Sequence, residues 1–208
     1  TVLLHNPRST STGTQRLPLS LLAVAAVIAD DYEVEFIDGN LVADPAAQIL
    51  ERARATGARL LACTVMPGPQ LRQAVPVCKV VKAALPDLVI LWGGYFPTQH
   101  YEVALTSGYV DYVIQGQGEA PFRQFVDTLH RGGALTDIPS LAHRGGTAHG
   151  SVVVNPRAPT VPLNTLPWYP YDRLDVGRYI GSSYLGRRVL SHNTSFGCPF
   201  ACSFCAVV

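Results

Sequence analysis

Residues 111 to 130 read DYVIQGQGEAPFRQFVDTLH, and two different periodicities meet in that stretch. In its second half Phe122, Phe125, Val126 and Leu129 recur at i, i+3, i+4 and i+7, which places them on one helix face. Pro121 suits a first turn, whose N–H groups have no partner inside the helix. The first half, DYVIQG, is a short apolar and β-branched run that stops at a glycine. A strand that passes through a glycine turn into a helix is half of a parallel crossover, because parallel neighbours need a helix-sized connection.

The same texture recurs upstream. Strand-like runs occur at TVLLHN (1–6), YEVEFID (32–38), RLLACTV (59–65) and LVILWGG (88–94). Between them, LLAVAAVIA (21–29) reads as a buried helix, and PAAQILERARATG ends on Gly57, where a helix-terminating glycine belongs. QLRQAVPVCKVVKAALP keeps an apolar stripe around Pro76, which is expected to start or kink that helix. This alternation predicts an α/β fold, with residues 1–133 forming a doubly wound, Rossmann-like (flavodoxin-like) sheet of five parallel strands covered on both faces.

Beyond residue 133 the texture changes. LAHRGGTAHGSVVVNPR predicts a small hairpin appended to the sheet. Pro159, Pro162, Pro167 and Pro170 then exclude a helix interior or central strand, so residues 134–187 are expected to comprise hairpin and extended connector. Leu166, Trp168, Tyr169 and Tyr171 give that connector too much apolar area to float free, and it is expected to lie on its neighbours. RRVLSHNTSFGC predicts a strand running into a cysteine loop, the opening of a second domain at 188–208.

Composition narrows the function classes. The 208 residues are 48 % apolar, enough for a core, and only 15 % charged, below the roughly 25 % of ordinary soluble domains. A formal net charge of +1 gives no footprint for nucleic acid or an anionic membrane. The apolar run at 21–29 is far shorter than the roughly 20 residues of a membrane span. No secretory signal is visible, and five cysteines, three of them clustered, do not make a disulfide framework. A reducing compartment, the cytoplasm, is expected.

In an open α/β sheet, ligands gather at the carboxyl ends of the strands. Four loops fall there: NPRSTSTGTQRLP, opening with Asn6 and Pro7; TVMPGP, opening with Thr64; GGYFPTQH, with Gly93, Gly94 and Tyr95; and GQGEAPF, with Gly116, Gly118 and Glu119. Each is rich in small residues that let backbone amides approach a large ligand, and these nine residues are the candidate cofactor platform. A nicotinamide site fits less well, because GQGEAP follows the fifth strand and lacks the third glycine of that fingerprint. His5 and His100 lie near the platform and read as structural.

The cysteines come next. CPFACSFC places Cys198, Cys202 and Cys205 on one short loop, and three thiolates suit either an iron–sulfur cluster or, with His192, a structural zinc. Cys63, at a strand end, and Cys78, on an apolar helix face, read as small buried hydrophobes.

This motif resembles the CxxxCxΦC signature of the radical S-adenosylmethionine (SAM) enzymes, with Phe204 at the Φ position. The preceding chain is similar to the cobalamin-binding domain found ahead of that core in the cobalamin-dependent branch: GGYFPT, DYVIQGQGE, the hairpin and LNTLPWYPYDRL fall in the expected order. The resemblance implies a 4Fe-4S cluster on the three cysteines, SAM chelated at its open iron with Phe204 near the adenine, and cobalamin on the platform. It implies radical chemistry on a small-molecule substrate, with an electron donor such as flavodoxin or ferredoxin, and C-methylation of an unactivated carbon foremost. Ring formation or rearrangement, a corrinoid carrier or sensor module, and a structural zinc site stand as alternatives. No DxHxxG motif is present, since Asp30, Asp31 and Asp44 lack a histidine two positions on, so any bound cobalamin is expected without that lower ligand. The resemblance also implies a barrel after the cysteine loop, so the chain is expected to be the N-terminal part of a longer, catalytically complete protein.

Overall fold

A computed structural model describes residues 1–10, 15–145, 151–195, 197–198, 200 and 202–203. Its elements run β1 (Val2–Asn6), α1 (Leu19–Ala26), β2 (Val34–Asp38), α2 (Pro45–Thr56), β3 (Leu60–Thr64), α3 (Pro69–Ala84) and β4 (Val89–Gly93). They continue with α4 (Tyr95–Gln99), α5 (Tyr101–Leu105), β5 (Tyr112–Ile114), α6 (Glu119–Arg131), β6 (Leu141–Arg144) and β7 (Val152–Val154). β8 (Gly181–Ser183) and β9 (Gly186–Val189) form a separate antiparallel pair.

Seven strands join one sheet in the order β2-β1-β3-β4-β5-β6-β7. The first five are parallel, and the predicted hairpin, β6 and β7, extends the sheet antiparallel at the β5 edge. The Rossmann-like, flavodoxin-like expectation therefore holds, and strand order reverses between β1 and β3.

Strand alternation builds the two cores. Leu3, Ile37, Leu61, Cys63, Ile90, Trp92 and Val113 face α2, α3 and α5. Val2, Leu4, Leu60, Ala62, Leu91 and Ile114 face α1 and α6, where Phe122, Phe125, Val126 and Leu129 supply the predicted helix stripe. Burial on both faces is why these strands read as nearly continuous apolar runs.

Local signals set the helix ends. Asp44 caps α2 by accepting from the Ala47 N–H at 3.0 Å, Pro45 fills its first turn, and Gly57 closes it at φ 63°. α3 begins at Pro69, so Pro76 does not start it and instead lies inside the helix. Pro76 is on the exposed side, where the Arg72 carbonyl that loses its partner can be hydrated.

α1 is apolar nearly all round because it is covered twice. Leu21 and Ala25 face the sheet, while Leu19 and Leu22, with Leu17, pack beneath Tyr169, Tyr171, Leu174 and Tyr179 of the connector. Trp168 differs from the expected packing and is 96 % exposed. Its neighbour Tyr169 takes the inward place instead. No helix among the described residues is long and apolar enough to cross a membrane.

His5 sits sealed inside this sheet, with Nδ1 donating to the Ile37 carbonyl at 2.9 Å. Burial pushes its pKa from 6.5 down to about 4, against the opposing pull of the Ile37 carbonyl and of Asp38. The unfolded chain therefore takes up a proton that the folded chain refuses as pH falls from 6.5 towards 4. Stability contributed by neutral His5 is complete above that window and falls within it, by about 3 kcal/mol at its lower end. His5→Asn keeps a donor for Ile37 and removes the titration. Urea unfolding between about pH 7 and pH 4 should show a shallower loss of stability for His5→Asn than for the unsubstituted chain.

Candidate functional site

The carboxyl ends of β1, β3 and β4 form a shelf at the point where strand order reverses. Strand register puts Asn6 beside Asp38 and Thr64 beside Gly93. Asn6 is buried, and its Oδ1 accepts from Gln70 Nε2 at 3.0 Å. Gln70 Oε1 in turn accepts from the Met66 N–H at 2.8 Å, so the first turn of α3 ties the β1 end to the loop after β3. Pro7, directly after Asn6, is also buried. Ser20, on the first turn of α1, donates its hydroxyl hydrogen to Thr64 Oγ1 at 3.0 Å.

Glycine keeps the β4 end bare. A side chain at Gly93 would project into open space, which is where a ligand can approach the backbone. Gly94 has φ 95°, and a Cβ there would come within 3.1 Å of both Thr64 Oγ1 and the Val65 nitrogen. Tyr95 follows, half-buried, at the start of α4. Thr98 on α4 donates to the Gly94 carbonyl at 2.7 Å and accepts from the Gly116 N–H at 3.1 Å. The loops after β4 and β5 are thereby held together.

The nine platform residues divide at this point. Asn6, Pro7, Thr64, Gly93, Gly94 and Tyr95 gather on the shelf. Gly116, Gly118 and Glu119 lie at the β5 end, where the connector arrives. A Cβ on Gly116 would meet the Arg157 guanidinium at 2.8 Å, and Gln117 next to it exchanges two hydrogen bonds with the Val161 backbone. Gly118 caps α6, and Glu119 is enclosed in its first turn, close enough to Tyr169 to help burial raise that phenol's pKa.

Gln70, Gly39, Asn40 and Thr98 were not singled out from the sequence. A Cβ on Gly39 would overlap the Gln73 amide oxygen, which accepts from the Arg8 N–H. A glutamine in the first turn of an apolar helix was the available signal for Gln70, since a polar residue there needs a partner when buried.

Cys63 and Cys78 are buried as expected, with their sulfurs 3.9 Å apart and Trp92 Nε1 donating to Cys78 Sγ at 3.3 Å. Cys198 and Cys202 are exposed and unpaired. Cys205 and Phe204 lie outside the described residues, and no three metal-binding groups cluster among the described residues. His192, the other zinc candidate, has its Nδ1 at 3.5 Å from the Tyr171 hydroxyl.

A ligand can approach the backbone of the shelf at Gly93, near the paired hydroxyls of Ser20 and Thr64. Soft, exposed thiols at Cys198 and Cys202 suit iron–sulfur and zinc alike. His5 is sealed in the sheet and out of reach of a metal above the shelf.

The family model of the B12 binding domain matches residues 9–126. The anaerobic magnesium-protoporphyrin IX monomethyl ester cyclase of Synechocystis is 26 % identical over 98 % of this chain and 42 % of its own length. The cobalamin-dependent radical SAM methyltransferase TokK of Streptomyces tokunonensis is 31 % identical over 64 % of this chain and 20 % of its own. The chain thus spans well under half the length of these relatives. In structure it is similar to the radical SAM methyltransferase TsrM of Kitasatospora setae, solved with cobalamin and a [4Fe-4S] cluster bound. The TM-score is 0.69 at 22 % identity, covering 99 % of this chain and 41 % of that one, a likeness of fold.

The Gly94 backbone gives a direct test of the shelf. Gly94→Ala should lower stability by about 1–3 kcal/mol in urea unfolding, because the conformation is one that only glycine adopts readily. Adding Thr64→Ala should recover only a minor part of that loss, since the Val65 nitrogen and the φ angle remain.

Proposed function

The chain belongs to the B12-binding domain family, and on that premise we propose that it is the cobalamin-binding part of a radical SAM enzyme that methylates an unactivated carbon. The observation that carries this reading is the conjunction of a bare-backbone shelf at the β1/β3 reversal with the Cys198, Cys202 and Cys205 loop downstream of the same fold. Relatives described as methyltransferases support it.

On this reading the shelf from Asn6 to Tyr95 carries the corrin, and no histidine of a DxHxxG motif reaches the cobalt. Cys198, Cys202 and Cys205 hold three corners of a 4Fe-4S cluster. When bound, the cluster with SAM supplies hydrogen abstraction and cobalamin supplies the transferred methyl group. The chain's own contribution is to hold the two groups in fixed relation and keep water from them. A small-molecule substrate and a reduced flavodoxin or ferredoxin would be the partners, in a reducing cytoplasm. The similarity to a cyclase favours ring formation as the second reading.

The full-length polypeptide, purified and reconstituted without oxygen, should bind hydroxocobalamin, contain acid-labile sulfide and release 5′-deoxyadenosine from SAM under reduction. Cys202→Ala should bring sulfide and 5′-deoxyadenosine to background while leaving hydroxocobalamin affinity unchanged. Stoichiometric zinc without sulfide in the unsubstituted protein would overturn the cluster assignment.

A further inference from the structure

Across residues 155–195, where the chain leaves the sheet, Tyr179 is the one fully buried side chain among the described residues, with exposed Arg178 and Gly177 before it. Its hydroxyl donates to Asp38 Oδ2 at 2.9 Å, across 141 residues of sequence. Asp38 is the strand-register partner of Asn6, so this bond is made at the margin of the shelf.

The other carboxylate oxygen of Asp38 is engaged as well. Oδ1 accepts from Asn40 N at 2.8 Å and from Asn40 Nδ2 at 2.7 Å. Asn40 then turns its Oδ1 outward to accept from the Ser9 N–H at 2.9 Å and the Thr10 N–H at 3.4 Å. The amide orientation follows from the network, since Nδ2 meets a carboxylate and Oδ1 meets backbone donors. Hydrogen bonds thus run without a gap from the connector to the start of the β1–α1 loop. The far end of that loop is reached by packing, because the Tyr179 ring belongs to the same buried cluster as Leu17 and Leu19. One side chain of the connector therefore grips both ends of a loop that borders the shelf. In the other direction, Tyr171 of the same cluster contacts His192, which precedes the cysteine loop.

We propose that Tyr179 is a positioning residue that couples the shelf to the connector, so that cobalamin on the shelf orders the connector through Asn40 and Asp38. The proposal rests on the cobalamin reading above. A ligand that fixes the Ser9 and Thr10 backbone favours the arrangement in which Asn40 and Asp38 are both satisfied, and that arrangement holds Tyr179 down. By linkage, a docked connector in turn favours the ligand-competent loop.

Hydrogen exchange of the full-length polypeptide, with and without hydroxocobalamin, tests this. In the unsubstituted protein hydroxocobalamin should slow exchange across residues 171–189 by about fivefold or more. Tyr179→Phe keeps the ring in its cluster and removes the hydroxyl, and it should abolish that ligand-dependent slowing while weakening hydroxocobalamin binding by about five- to tenfold. Asn40→Ala should do the same, and the double variant should be no weaker than the poorer single one. A purely structural role would change exchange equally with and without ligand. Retention of the ligand-dependent slowing in Tyr179→Phe, or its absence in the unsubstituted protein when hydroxocobalamin binds, overturns the coupling and leaves the shelf assignment standing. Failure of hydroxocobalamin to bind the unsubstituted protein overturns both.

Discussion

A parallel sheet covered by helices on both faces leaves a ligand one place to go, the edge where its strands run out. That constraint organises this chain. Because Val2, Leu4 and their neighbours face one helix layer and Leu3, Cys63 and Trp92 the other, neither face of the five parallel strands is open to solvent. Chemistry is confined to the loops, and the reversal of strand order between β1 and β3 parts the loops there, since connections leave on opposite sides of the sheet.

Stiffness at that edge comes from polar side chains that are fully engaged beneath it. Gln70 bridges Asn6 and the Met66 amide, Ser20 holds Thr64, and Thr98 spans the loops after β4 and β5. Each bond is modest by itself, but each satisfies a group whose burial would otherwise be costly, so the loops have few alternative arrangements. The glycines act in the opposite sense by keeping side chains away. A surface that is rigid below and bare above suits a large, nearly rigid ligand, because little ordering remains to be done on binding.

The sequence made the fold largely legible because its signals are local and periodic. The α6 stripe, the Gly57 stop and the β-branched runs each lie within a few neighbouring residues, and each appears in the structure where the pattern put it. Where reading and structure part, the cause is an exposure that spacing does not reveal. Pro76 stays inside α3 on its exposed side, and Trp168 is exposed while Tyr169 beside it packs inward. On the shelf, the loops and their glycines were readable, whereas the groups that brace them were not. Gln70 meets Asn6 across 64 residues and Tyr179 meets Asp38 across 141, and no window of sequence contains both partners. The connector's route over Gly116 and Glu119 was hidden for the same reason, so the β5 loop looked as open as the others.

Sulfur shows how placement decides chemistry when residue type does not. Cys63 lies one position before Thr64, directly under the shelf, where a reactive thiol would compete for any metal or electrophile held there. Burial raises its pKa well above the ordinary value, with the neighbouring Cys78 sulfur adding to the shift, so it remains a protonated, weakly polar filler. Trp92 donates to Cys78, which gives the second buried sulfur a partner as well. Cys198 and Cys202 stand in the opposite condition, exposed and without a partner sulfur among the described residues. Among the described residues these are the thiols that a metal delivered in solution can reach. Sealing one pair of thiols within the sheet core and exposing the other beyond the connector thus separates two sulfur environments in one chain.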